Sequence, residues 1–472
     1  MTTTRSGPWT LRPPRFALSV GRAFRLSALL ACPLLGAGVP TAASSDDATE
    51  QFGANVALLG ASGPAGEQIL LVGAPGFDDV VRGGGAVRMI PLGMSSPPIT
   101  MQGTTESASF GQALLRLGDI DGDGFDDFAA SAPHYQHVQL YMPGEYEAIK
   151  LEQEGGPKAP HAGHEGFRGK VMVFSGRMHW LLRLYIGNHC GDLGETLANA
   201  GDLDGDGKDD ILAGAPDCSM VHPYQGTVTA LSSGLPGKVL YEIRGDRERL
   251  HLGMAIVSLG TDLDGDGVLD FAAGGSPTGP GEVWLCSGKS GRVLRRIIAP
   301  GQEVGFGEAV ALLPRPGGNR KDPHLAIGAP RADLAGCLKA GVVFVVSVAT
   351  GQVVQRSSGT RPGDTHGQAL VAIPDVDGDG WAEICVGVPG FLDASNLHVG
   401  GVRLVSGGTG KVLWEVPGPG PEKWAWLEQC LAACGDRDGD GVDDVLVGLK
   451  GSNAVWVLSG KSGKKLQAWS WQ

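Results

Sequence analysis

The chain has 472 residues, 77 of them glycine and 30 proline, with 42% hydrophobic residues and a formal net charge of −13. So much glycine is compatible with a folded core because it recurs with a period, which indicates a repeat architecture rather than disorder. The acidic balance deepens to −18 once the first 43 residues, with five arginines and no acid, are set aside, and it excludes a surface built to attract nucleic acid or anionic lipid.

The N-terminus reads as an export signal. Arg5, Arg12, Arg15, Arg22 and Arg25 precede an apolar run over 26–39, and Thr41-Ala42-Ala43 supplies small residues for cleavage near Ser44. Residues 1–43 are therefore expected to be a signal peptide and 44–472 the mature domain. The run is short for a membrane span and no later one approaches that length, so no membrane insertion is expected after cleavage. Leu29-Leu30-Ala31-Cys32 resembles a bacterial lipobox, which makes a lipid anchor on Cys32 the alternative to secretion. Seven cysteines remain after residue 43, none in a CxxC, and an odd number is not a disulfide framework. Cys286 and Cys385 lie in apolar, strand-like runs and read as core residues, while Cys190 and Cys218 lie in loops and are the one pair expected to bridge.

From residue 52 onward a unit repeats. It opens on an FG-like pair, continues through an apolar strand, a loop and a second strand, and closes on a GAP-like triplet; a third and a fourth strand follow as a hairpin. The opening pairs begin at Phe52, Phe110, Leu193, Leu252, Phe306, His366 and Leu427, the last being degenerate, with spacings of 58, 83, 59, 54, 60 and 61 residues. The hairpin segments, such as GEVWLCSGKSGRVLRRI, join two β-rich strands through a glycine-containing turn. Four strands repeated seven times predict an all-β fold, a seven-bladed β-propeller of four-stranded antiparallel blades, since that arrangement protects most strand edges.

Five of the units carry a nine-residue acidic loop between the first and second strands: DIDGDGFDD, DLDGDGKDD, DLDGDGVLD, DVDGDGWAE and DRDGDGVDD. Positions 1, 3 and 5 are Asp119, Asp121 and Asp123; Asp202, Asp204 and Asp206; Asp262, Asp264 and Asp266; Asp375, Asp377 and Asp379; and Asp436, Asp438 and Asp440. Position 9 is Asp127, Asp210, Asp270, Glu383 or Asp444. Four carboxylates on one glycine-bent loop repel one another unless a hard cation sits among them, and Ca²⁺ suits an all-oxygen donor set. The backbone carbonyl of position 7, at Phe125, Lys208, Val268, Trp381 or Val442, can add a further oxygen. An EF-hand is the rival reading, but it requires glutamate at position 12, where this chain has Ala130, Ala213, Ala273, Val386 and Val447. Up to five Ca²⁺ ions are expected. Unit 1 has one acid between residues 60 and 67, and unit 5 has a basic loop over 314–323; neither is expected to bind calcium.

These features together resemble the FG-GAP repeat family, typified by the propeller of integrin α-subunits and common in exported bacterial proteins. The likeness runs over residues 50–472 and implies the same seven-bladed ring, with the position 1, 3, 5 and 9 acids and the position 7 carbonyl as ligands. Unit 1 starts with its own inner strand and unit 7 ends with its own outer strand, so ring closure is expected without a borrowed strand. Unit 2 carries an insertion over 134–168 with three of the six tyrosines and four of the eleven histidines. The family's geometry puts this connection on the face where partners bind, and long loops on a rigid scaffold often carry function.

Other motifs carry less. The HxxH spacings at His134/His137 and His161/His164 come without cysteines, and a solvated loop is the favoured reading over zinc. The GKS runs at 287–291 and 459–463 lack the upstream glycine of a phosphate loop and read as hairpin turns. Arg244-Gly245-Asp246 lies in a link between units, and His251 and His366 at the FG-like pairs are better explained by packing than by catalysis. The expected function is an exported, calcium-stabilised propeller that binds an extracellular protein or glycan as an adhesion or scaffold module. A hydrolase or lyase with its site at the propeller mouth or under the unit 2 insertion is the alternative.

Overall fold

The second and third strands of each unit are continuous apolar runs, DILAGA and TVTALS in the third, and such runs need cover on both faces. In the computed structural model they receive it from the sheets on either side. The structure describes residues 51–60, 68–92, 96–135, 149–150, 168–187, 191–234, 237–275, 277–301, 303–314, 323–419 and 430–470. Thr196–Gly201, Asp210–Ala215, Thr227–Ser232 and Lys238–Arg244 pair antiparallel in chain order, with the second and third strands wholly buried and the fourth largely open. Six more sheets keep this order, over 55–102, 114–186, 255–298, 309–358, 370–417 and 431–470. First strands of successive sheets touch all the way round, the seventh against the first. The protein is a seven-bladed β-propeller.

Closure uses no exchanged strand. Asn55–Leu59 is the first strand of blade 1 and Lys465–Ser470 the last of blade 7. The two blades share an apolar cluster that includes Phe52, Val72, Leu446 and Val457, and the Phe52 amide donates to Asn453 Oδ1 at 3.1 Å. A short 3₁₀ turn over Lys450–Ser452 is the one helical element among the described residues.

The FG and GAP motifs are two halves of one contact between neighbouring blades. Gly367 of the FG-like pair in blade 6 has φ +101°, a conformation that glycine adopts without penalty. Its carbonyl lies where a Cβ on Gly328, the GAP glycine of blade 5, would stand, 2.1 Å away. The same approach recurs between Gly448 and Gly53 across the closure. The preceding aromatic is buried beside it, Phe52 and Phe306 fully so. His366 takes the place of this phenylalanine in blade 6; its Nε2 meets Ser357 Oγ at 3.0 Å, and burial pushes its pKa down to about 3, so it packs as a neutral ring.

A second inter-blade bond recurs further out. Tyr241 Oη on the fourth strand of blade 3 donates to Gly288 O in the hairpin of blade 4 at 2.5 Å; Tyr185 reaches Ser232 O, and Trp414 Nε1 reaches Gly460 O at 2.9 Å. Tyr241→Phe keeps the ring and leaves that carbonyl without its donor. It is expected to cost about 1 kcal/mol in urea unfolding, with an unchanged m-value.

Blade 2 departs from four strands. Ile149–Lys150, from the insertion, pairs parallel with the outer strand Leu181–Ile186 as a fifth strand. An outer strand presents unpaired backbone groups, and a long connection passing over it satisfies some of them. Residues 136–148 and 151–167 of the insertion, the expected signal peptide, and the loops of units 1 and 5 that lack the acidic motif lie outside the described residues for the greater part or wholly. Cys286 and Cys385 are fully buried. Cys218 is disulfide-bonded, its partner outside the described residues, whereas Cys286, Cys337, Cys385, Cys430 and Cys434 are free thiols. The GKS runs form the hairpin turns expected of them, with Gly291 N donating to Ser287 O and Gly463 N to Ser459 O, both at 2.8 Å.

Candidate metal centres

Each acidic loop is shaped by its own carboxylates. In blade 3, Asp202 Oδ1 accepts the Gly205 amide at 2.7 Å and the Asp206 amide at 3.1 Å, while Oδ2 accepts Gly207 at 2.8 Å. Those bonds wrap the chain around position 1, and they require φ of +82° at Gly205 and +83° at Gly207. Position 5 then accepts the amide of position 7: Lys208 donates to Asp206 at 2.9 Å, Phe125 to Asp123 at 3.0 Å, Val268 to Asp266 at 3.0 Å, Trp381 to Asp379 at 2.8 Å and Val442 to Asp440 at 3.0 Å. The position 7 peptide is thereby held in place on every loop.

Position 9 opens the second strand and has no exposure in any of the five loops. Asp210 Oδ2 accepts Leu203 N at 2.8 Å and Oδ1 accepts Ser233 N at 3.0 Å, so one side chain ties the loop to the hairpin between the third and fourth strands. Asp127 does the same with Ile120 and Gly176, Asp270 with Leu263 and Gly288, and Asp444 with Arg437 and Gly460. The longer Glu383 gives both oxygens to the loop, at Val376 and Asp377. Burial, opposed by these amides, pushes Asp127 and Asp210 up to about 6 and Glu383 up to about 7. A carboxylate raised in this way is stabilised by a nearby cation.

Three acids of each loop bring ligand oxygens within 4.8 Å of one another: Asp119, Asp121 and Asp127; Asp202, Asp204 and Asp206; Asp262, Asp264 and Asp270; Asp375, Asp377 and Glu383; Asp436, Asp438 and Asp444. In blade 2, Asp123 Oδ2 is in addition buried without a hydrogen-bond partner among the described residues. All the donors are oxygens, and the arrangement fits a hard divalent ion better than a soft one.

Several participants carried no signal in the motif. In three blades the serine just after the third strand reaches position 5: Ser287 Oγ donates to Asp266 Oδ2 at 3.2 Å, Ser406 Oγ to Asp379 Oδ2 at 2.8 Å and Ser459 Oγ to Asp440 Oδ2 at 3.5 Å. Two loops hold a basic group on position 3, with Lys238 Nζ 3.1 Å from Asp204 and Arg292 Nη2 3.2 Å from Asp264. Burial works to raise the Asp204 pKa, but the hydrogen bonds from Lys238 and Ser232 and the Lys238 charge outweigh it and hold the pKa low. Lys208 Nζ donates to Asp119 O at 2.9 Å and so links the loops of blades 2 and 3.

With the ring, the FG–GAP contact and the acidic loops established, the family model described as FG-GAP repeat matches residues 110–141 and 193–231. The chain is an integrin-α-like FG-GAP β-propeller. It is 27% identical to integrin alpha-IIb of Mus musculus over 39% of its own length and 16% of that protein, and 28% identical to integrin alpha-PS2 of Drosophila melanogaster over 52% and 17%. A 79-residue stretch is 38% identical to human phosphatidylinositol-glycan-specific phospholipase D, 14% of this chain and 9% of that one. The propeller thus aligns with less than a fifth of the length of each of these relatives. Among the described residues no helix is long and apolar enough to cross a membrane.

Proposed function

We propose that the chain is an exported, calcium-binding propeller that serves as a protein- or carbohydrate-binding adhesion or scaffold module, with up to five Ca²⁺ ions acting mainly as structural staples. The position 1, 3, 5 and 9 acids and the position 7 carbonyl of each loop are the proposed ligands. The observation that carries this reading is the double duty of position 9 at Asp127, Asp270 and Asp444, which lies among the candidate ligand oxygens and also bonds the loop to the hairpin between the third and fourth strands. An ion there fixes a junction between strands, an architectural task, and leaves the faces of the ring for a partner. The integrin likeness supports an extracellular protein or glycan as that partner. Residues 1–43 are proposed as the export signal, with Cys32 lipidation as the alternative; the mass of the mature N-terminus separates the two.

Calcium affinity is expected to differ among the loops. Lys238 and Arg292 place positive charge on position 3 in blades 3 and 4 and compete with the ion, so those sites should empty first as free calcium falls. Lys238→Met removes the competitor from blade 3 and should tighten that site several-fold in calcium titration calorimetry, against an ion-pair worth on the order of 1 kcal/mol. An unchanged or weaker site would remove Asp204 from the ligand set. Partner binding is tested by capture from secretome or glycan arrays with and without the blade 2 insertion over 134–168; identical capture would take the insertion out of the binding face.

A further inference from the structure

The first strands leave a cavity of about 380 Å³ on the propeller axis, at the end where those strands begin. The residue after each FG-like glycine lines its rim: Gln112, Glu195, Met254, Glu308 and Gln368 in blades 2 to 6. Two residues further along the strand, on the same side of the pleat, the lining is aliphatic, as at Leu197 and Val310. No calcium loop contributes to it.

The two carboxylates stand on blades 3 and 5, with Met254 of blade 4 between them. Each has a carboxamide from the adjoining blade beside it. Gln112 Nε2 donates to Glu195 Oε1 at 3.0 Å, and the Gln368 side chain attends Glu308. Glu308 is only 4% exposed; its Oε1 faces Arg331 Nε at 3.1 Å. The remaining oxygens, Glu195 Oε2 and Glu308 Oε2, are enclosed and have no hydrogen-bond partner among the described residues. A buried carboxylate oxygen without a donor is costly, and the cost is relieved by a ligand that brings N–H donors and positive charge.

We propose that the axial cavity binds a short aliphatic polyamine, whose ammonium groups donate to Glu195 Oε2 and Glu308 Oε2 and whose methylene chain lies against Met254 and the aliphatic walls. Two acids set apart by an apolar side chain match two ammonium groups set apart by methylenes. The cavity volume falls within the range of small-molecule sites. Burial, only partly offset by Gln112 and Lys450 at Glu195 and by Arg331 and Gln368 at Glu308, pushes both glutamates up to about 7. Around Glu195 the other charged groups are Asp192, Asp217 and Lys450, and around Glu308 it is Arg331. Ammonium binding needs the ionised carboxylates, so affinity should fall as the pH drops through about 7.

The test is titration calorimetry of the full mature chain in saturating Ca²⁺ with spermidine and putrescine, and with glucose and Mg²⁺ as controls. The expected result is saturable binding of one polyamine per chain, weakened about tenfold or more by Glu195→Gln or Glu308→Gln. Both variants keep shape and remove charge, and circular dichroism melts check that they fold. Lys450 also lines the cavity; Met254→Lys places a second ammonium between the two glutamates and should abolish binding while the melt stays at or above that of the unaltered chain. The proposal is overturned by an absence of saturable polyamine binding, by binding insensitive to all three substitutions, by equal binding of glucose, or by displacement with excess Ca²⁺ or Mg²⁺, which would assign the heat to the acidic loops.

Discussion

Gly328→Ala is expected to destabilise the propeller by about 3 kcal/mol or more, at the upper end of what overpacking costs in a well-packed interior. The new methyl carbon would stand 2.1 Å from Gly367 O and 3.4 Å from Ala309 Cβ. The obstructing atom is backbone of the next blade, anchored by the hydrogen bond from Gly367 N to Gly387 O, so it cannot rotate away as a side chain would. Relief requires blades 5 and 6 to move apart, which opens the apolar cluster shared by Val343, Val345, Ile384 and Val386. Gly122→Ala in the blade 2 loop is the control. Its Cβ would meet nothing within 4 Å, and the penalty is confined to φ of +81°, roughly 1 kcal/mol. Urea unfolding of the two variants should show the difference; equal losses would mean that the FG–GAP approach is not what constrains glycine at 328.

This contact also explains why so much of the fold was legible. A residue that must be glycine because a neighbouring carbonyl occupies the Cβ position leaves a mark at a fixed place in most repeats, with Ser131 the exception in blade 2, and so does a glycine that must bend around a carboxylate. The FG pair, the GAP triplet and the DxDGDG loop are three such marks, and blade count and strand order follow from their spacing. The fifth strand of blade 2 was not legible because Ile149–Lys150 pairs through backbone atoms with Tyr185 and Ile186, 36 residues downstream, which side-chain pattern does not report. Lys238 reaches its acidic loop from the fourth strand and Arg292 from the residue just before it, so a reading confined to nine residues misses them. Glu195 and Glu308 occupy the slot after an FG-like glycine that Ala54 and Met254 hold in other blades; variation at one slot looks like surface drift until the ring brings the blades to a common axis. Position 9 was legible as an acid but only partly as to its task. Its spacing places it beside the other acids, whereas its bonds to Ser233, Gly176, Gly288 and Gly460 come from the hairpin, 16 to 49 residues later in the chain.

Removal of calcium should lower stability more than any single substitution. Binding to the native state alone stabilises by RT ln(1 + [L]/Kd), about 1.4 kcal/mol for each site at free ion ten times Kd, and roughly 7 kcal/mol if five sites load. Extracellular calcium modules bind at ~10⁻⁴–10⁻³ M, so the comparison calls for Ca²⁺ in the millimolar range against chelator. Equal thermal midpoints in the two conditions would sink the staple reading. Two substitutions in blade 3 then separate ligand from clamp. Asp204→Asn removes charge from a side chain on the loop, so its cost should appear mainly in calcium, leaving in chelator only the loss of the Lys238 ion pair, about 1 kcal/mol or less. Asp210→Ala strips the acceptor from the amides of Leu203 and Ser233 in a buried setting, and should cost about 3 kcal/mol even in chelator, with a further loss in calcium. If Asp210→Ala instead became harmless once the ion was withdrawn, position 9 would be a ligand alone, and the hairpin would be held by packing rather than by its carboxylate.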